Sequence, residues 1–308
     1  MTQERGIAAQ AARRDGIRRR HPVAIGLQPG GDRVIESHYR ASARASAQRW
    51  ALVASLAVTA AARPIATAVA ASAPSCSAFD HEHRAWTRLL EQYVKDGRVD
   101  YAGLRREARP ALSGYLDLLS AVSRTCYARW MRERRLAFWI NAYNAYAVEL
   151  ILEHYPVRSI RAIGWWPGAA FRTKFIPMKD FTGGDLSLED VEHEHLRKEF
   201  REPRIHFAIV CASVSCPPLR SEAYRATDLE RQLDDQARRF LADPTKNRFD
   251  PKSRTLHLSS IFKWFRGDFE GTLPAFVARY VDPATAAALR EPGVRVEFLD
   301  YDWSLNGR

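Results

Sequence analysis

The sequence predicts an α+β domain, rich in helix and carrying a small mixed β-sheet. Three observations support this. Helical patterns outnumber strand-like ones from Phe79 onward. The strand-like runs Ile205–Cys211, Thr255–Leu258 and Val294–Phe298 are scattered among the helices. No repeat and no Gly/Ser linker divides residues 74–308, which therefore read as a single folded domain. Composition agrees, since 46% apolar and 27% charged residues over 308 positions describe a globular chain. The net charge of +11 is concentrated at the front. Residues 1–50 hold ten Arg, no Lys and four acids, and residues 74–308 retain only +4. The folded part thus lacks the basic footprint of a nucleic-acid binder, and no nucleic-acid partner is expected.

The first 73 residues read as a leader and signal peptide, disordered or removed. Arg49 precedes a 13-residue apolar run, Trp50 to Ala62, that is too short to span a bilayer. Arg63 and Pro64 interrupt it. Ala68-Val69-Ala70 and Ala71-Ser72-Ala73 then offer small-x-small cleavage sites. The expectation is a periplasmic or secreted product with no stable membrane span after processing. Beyond the run lie Cys76, Cys126, Cys211 and Cys216, an even count that permits two disulfides in an oxidising compartment. Three pairings are open, and Cys211–Cys216 is the easiest by proximity.

The elements follow in order. Asp80 is placed to cap a first helix that buries Trp86, Leu89, Leu90 and Tyr93 and ends at Gly97. A second helix is expected over Leu104–Val122. The third, Arg129–Glu153, is apolar nearly all round and should be central. It carries Asn141 and Asn144 on one stripe. Buried amides need partners, so these two imply either a polar cleft or bonds to a neighbouring backbone. Residues 164–184 form an aromatic loop. Ser187-Leu-Glu-Asp190 opens a helix to about Phe200, and Thr227-Asp-Leu-Glu230 is a capping box for a helix to Leu241. A short helix over Ser259–Phe269 and another near Leu273–Tyr280 precede the final strand.

Three clusters could carry chemistry. In Glu192-His193-Glu194-His195, helical spacing puts Glu189 with His193 and Glu192 with His195. HExxH spacing is missing, so neither a metal nor a cofactor is expected. In the run from Arg204 to Pro218, His206 begins a buried strand and Cys211 ends it. A regular strand would put them on opposite faces, about 17 Å apart, so they could not form a direct dyad. Ser213, Ser215 and Cys216 follow in a loop at the strand end. In the third cluster Lys263, Arg266 and Asp268 lie among aromatics, read as packing with snorkelling charges.

Taken together, Ala137-Phe-Trp-Ile-Asn-Ala-Tyr-Asn-Ala, Val191-Glu-His with Leu196-Arg197, the His206–Pro217 stretch, Ser260-Ile-Phe-Lys-Trp-Phe with Asp268-Phe269 and the tail from Tyr301 to Asn306 resemble the family called domain of unknown function 547. The resemblance spans roughly residues 79–306. It implies Asn141, Asn144, Glu192, His193, His206 and Ser215 as shared-site candidates. A long polar-spotted helix followed by a histidine-bearing strand also resembles papain- and transglutaminase-like folds, with Asn144 where those folds place a cysteine.

Three functional readings stand side by side. One is an exported hydrolase or acyl-type transferase. Its general base would be His206, oriented by Glu192 or Asn144, with Ser215 or a loop cysteine as nucleophile and a small-molecule or peptide-like ligand. Another is a binding module lined by Trp165, Trp166, Asn141 and His206. The third is a thiol-disulfide protein using Cys211 and Cys216.

Overall fold

A computed structural model describes residues 79–166 and 168–308. The leader, its apolar run, the cleavage sites and Cys76 lie outside these residues. Among the described residues, no helix is long and apolar enough to cross a membrane.

Helix α1 (Arg84–Tyr93) buries Trp86, Leu89, Leu90 and Tyr93, the face expected from its periodicity. Asp80 does accept hydrogen bonds from the amides of Glu82 and Arg84, at 3.1 and 3.0 Å, but the helix starts four residues later than expected. Gly97 does not end that helix. Strands β1 (Val94–Lys95) and β2 (Arg98–Val99) pair antiparallel around an Asp96-Gly97 turn. Both turn residues have positive φ, 52° and 78°, as a two-residue hairpin requires.

The expected second helix is split into α2 (Tyr101–Glu107) and α3 (Arg109–Ser120). Pro110 causes the break: it has no amide to donate and its ring would clash with the preceding turn, so it sits at the start of a new helix. After α4 (Arg124–Tyr127), the central helix α5 (Arg132–His154) is buried at every position from Leu136 to Val148. Trp86 of α1 stacks on Tyr115 of α3 at 5.7 Å, and α3 packs on α5. Two short turns, α6 (Ala169–Arg172) and α7 (Lys179–Thr182), lie within the aromatic loop.

The Ser187–Asp190 capping box forms as expected and opens α8 (Leu188–Asp190). The helix then widens into a π-helical stretch over Val191–Arg197. Ile205–Cys211 is not a strand. Ile205–Ala208 makes a helical turn, α9, and Ile209, which follows it, is extended. A continuous apolar run does not by periodicity alone distinguish a strand from a buried turn. Among the described residues, no strand pairs with the segment. Instead the Asn144 side chain takes the place of a neighbouring ladder, donating to the Ala208 carbonyl at 2.9 Å and accepting from the Val210 amide at 2.8 Å.

Helix α10 (Leu229–Ala242) forms without the Thr227 capping box, because Asp228 is the cap residue and its side chain caps nothing. Strands β3 (Arg248–Asp250), β4 (Thr255–Ser259) and β5 (Arg295–Leu299) make a mixed sheet in that order, β3–β4 antiparallel and β4–β5 parallel. Between β4 and β5 lie α11 (Ile261–Trp264), a 3-10 turn at Arg266–Asp268, α12 (Leu273–Val277) and α13 (Pro283–Arg290). The last, β1–β2 and β3 were not anticipated.

Two apolar clusters result, one centred on α5 and one on α10, the sheet and α11–α13. Helix α9 lies on their seam: Ile205 and Ala208 belong to the first cluster, Phe207 to the second. The tail ties the region together. Ser304 and Asp302 carbonyls accept from the amides of Val214 and Ser215, while the amides of Leu305 and Asn306 donate to Arg158 and Ala212 carbonyls.

Candidate functional site

His206, on the α9 turn between the two cores, has a side chain 1% exposed. Its Nε2 lies 2.7 Å from Asp268 Oδ2, contributed by the 3-10 turn. Arg197 donates to both Asp268 oxygens, at 2.6 and 2.7 Å. These contacts hold the Asp268 carboxyl well below the usual carboxylate range, Arg197 first and His206 after it. An ionised carboxylate can only accept, so the His206 proton sits on Nε2. Nδ1 therefore carries the lone pair, and it faces Glu192 Oε1 at 3.7 Å. Phe265 stacks on the imidazole at 4.0 Å and lies 5.1 Å beneath the Arg197 guanidinium, fixing both.

Glu192 projects from the π-helical stretch with its side chain 12% exposed. Burial pushes its carboxyl up to about 7, against the opposing pull of Arg197 and with help from Asp268 and Glu189. Burial also lowers His206, against the pull of Asp268. His193 Nδ1 accepts from Arg197 at 2.6 Å. Arg197 has no acceptor capacity, so the His193 proton is on Nε2. Burial and then Arg197 lower its pKa, keeping it neutral.

Glu192, His193 and His206 line one pocket of about 230 Å³ together with Cys211 and Cys216. Trp264 and Trp303 stack at 5.6 Å along its wall, and Tyr301 lies 4.5 Å from the Trp303 ring. The pairing of Glu192 with His195 expected from helical spacing does not occur. The wider π winding turns His195 away to stack on Trp139 at 4.1 Å.

Not all candidates meet. Asn141 donates to the Tyr224 carbonyl at 2.7 Å and accepts from the Tyr224 amide at 3.0 Å. Like Asn144, it clamps a neighbouring backbone, and neither lines the pocket. Ser215 Oγ accepts from the Asp302 amide at 2.9 Å and does not line it either. Cys211 and Cys216 are joined as a disulfide with α-carbons 6.3 Å apart. The seryl and thiol nucleophiles considered for His206 are thus not presented to it. His206 and Cys211 nonetheless share the pocket, because the regular strand that would have separated them is absent. Among the described residues no three His, Cys, Asp or Glu side chains are grouped to hold a metal.

Sequence reading missed Arg197, Tyr301 and Trp303 as site residues and treated Asp268 as a packing charge. A hint was available: Asp268 is an acid within an aromatic run, where an unpaired charge is costly.

The site is that of an α+β domain with a carboxylate–imidazole–carboxylate chain at the wall of an aromatic pocket. Over residues 127–241 the chain matches the family described as "Protein of unknown function, DUF547". The matched stretch holds α5, Glu192, His193, Arg197, His206 and the disulfide loop; Asp268, Tyr301 and Trp303 lie beyond it. No curated protein and no solved structure matches the chain.

Proposed function

We propose that the protein is an exported hydrolase working by general acid–base catalysis, with Glu192 as the proton-transferring group. The observation that carries this reading is the buried Glu192 carboxyl, pushed up to about 7 at a pocket wall and facing the lone pair of His206. A carboxylate with such a pKa is half ionised at neutrality and a stronger base than an ordinary one. It takes a proton from water attacking the substrate. The new carboxylic acid turns its O–H toward His206 Nδ1 and then delivers the proton to the leaving group. Asp268, clamped by Arg197, keeps the imidazole in the required tautomer, so both are positioning residues. The neutral His193, with its Nε2–H, can donate to the substrate. The Trp264–Trp303 wall seats a small molecule with an apolar face. With the disulfide closed and Ser215 engaged elsewhere, direct attack by water fits the site better than a covalent intermediate. The apolar run at 50–62 supports export.

The test is a panel of chromogenic esters, amides and glycosides hydrolysed by the purified protein. Hydrolysis of one class is expected to fall at least a hundredfold in Glu192→Gln, with kcat rising through an apparent pKa near 7 in the wild type. Hydrolysis unaffected by Glu192→Gln would overturn the proposal.

A further inference from the structure

The Cys211–Cys216 disulfide is more than a closure of its loop. Both residues line the pocket, yet they differ in access: Cys211 is half-buried and packs at the edge of the α5 cluster, whereas Cys216 is 3% exposed. The hydrogen bonding is also unequal. Cys216 Sγ accepts from the Cys211 amide at 3.0 Å and from the Tyr301 hydroxyl at 3.1 Å. Cys211 Sγ has Ser213 Oγ at 3.3 Å and Tyr301 Oη at 3.4 Å. Burial raises the Tyr301 phenol, so it remains a donor. Two donors, one of them backbone, are therefore already aimed at the buried sulfur.

We infer that Cys211–Cys216 is a thiol–disulfide exchange site for a low-molecular-weight thiol, with Cys211 as the sulfur attacked and Cys216 as the leaving thiolate. The external thiolate forms a bond to Cys211 Sγ while the Cys211–Cys216 bond breaks. The electron pair of that bond leaves on Cys216 Sγ, where the Cys211 N–H and Tyr301 O–H stabilise the charge. A second external thiolate then attacks the external sulfur of the mixed disulfide. It releases the small-molecule disulfide and leaves Cys211 as a thiolate, so two thiols are oxidised as the protein disulfide is reduced. Exchange rates depend on how well the leaving thiolate is stabilised and on which sulfur is reachable, and the structure distinguishes the two cysteines on both counts. The inference is independent of the hydrolytic reading, since no step uses Glu192 or His206.

The test uses the folded full chain and glutathione as the probe thiol. Samples are quenched in acid, free thiols are alkylated, and adducts are mapped by mass spectrometry. The expected result is glutathione on Cys211, with Cys216 recovered as the alkylated thiol. Tyr301→Phe, which removes one hydroxyl and keeps the ring, should slow adduct formation about tenfold, the loss of one hydrogen bond to a charged group. Adducts mainly on Cys216, or a pair that glutathione reaches only after the protein is unfolded, would overturn the inference. An unchanged rate in Tyr301→Phe would remove the hydroxyl's assigned role and overturn the leaving-group assignment built on it.

Discussion

Glu192 holds its proton to about pH 7 because burial penalises the carboxylate more than Arg197 relieves it. In the unfolded chain the same group titrates near its ordinary 4.5. The folded state therefore binds the extra proton between these values, and stability falls as pH rises from about 4.5 to about 7. At about 1.4 kcal/mol per pH unit the full cost is about 3 kcal/mol. Glu192→Gln removes it. Denaturant titrations should show the variant gaining on the wild type across that window by up to about 3 kcal/mol, then running parallel above it. A constant difference from pH 4 to pH 9 would contradict the assigned shift. Glu192, His193 and His206 stand out in the sequence as candidates because each is a titratable group beside apolar positions, and in the structure they line one pocket. The amides were legible only as buried groups needing partners. Whether those partners were a cleft or a backbone depended on the path of residues 208–210 and 224, which no local pattern encodes.

At the scale of elements, Asn144 stands in for a missing strand. Asn144→Ala leaves the Ala208 carbonyl and the Val210 amide buried and unpaired, at about 1–3 kcal/mol each. A loss of about 3–5 kcal/mol is expected in chemical denaturation, far more than an ordinary helix substitution costs. A loss below about 1 kcal/mol would show that water or a local shift replaces the amide. Gly97 is equally specific. Its φ of 78° disfavours a side chain, and an added Cβ would lie 2.3 Å from Pro218 Cβ and 2.8 Å from its Cα. Gly97→Ala should destabilise by about 2–3 kcal/mol and disturb the disulfide loop just before Pro218. Thermal unfolding together with the glutathione-accessibility assay checks both effects. The β1–β2 hairpin was in fact legible, since Asp96-Gly97 is a strong hairpin signal. It was overlooked because the glycine also reads as a helix stop. Pro110 was likewise visible, and tolerating it inside a helix produced the single long helix that the structure divides. The run at 205–211 is different in kind. Its apolar sequence fits either geometry, and only packing against α5 decides.

Across the whole molecule, the pocket is assembled from segments distant in sequence: the π-helical stretch, the α9 turn, the disulfide loop, α11 and the tail. The helix-rich α+β class and the central place of α5 follow from composition and periodicity. The convergence of Asp268 on His206 does not, because it links positions 62 residues apart through the docking of one core on another. The tail is a structural part of the site. It supplies Tyr301 and Trp303 and bonds to residues 212–215 and 158. Truncation after Asp300 should therefore weaken ligand binding and lower the melting temperature. Trp303→Ala should weaken binding of an apolar-faced ligand with little change in melting temperature. Calorimetry on both variants separates the tail's anchoring role from its lining role. The most direct measurement for the account as a whole is a site-resolved titration of the Glu192 carboxyl carbon by NMR, in the wild type and in Asp268→Asn. Because Asp268 raises Glu192, the expected result is a midpoint near pH 7 in the wild type and a lower one in the variant. A wild-type midpoint near 4.5 would make Glu192 an ordinary carboxylate and contradict its role as the proton-transferring group.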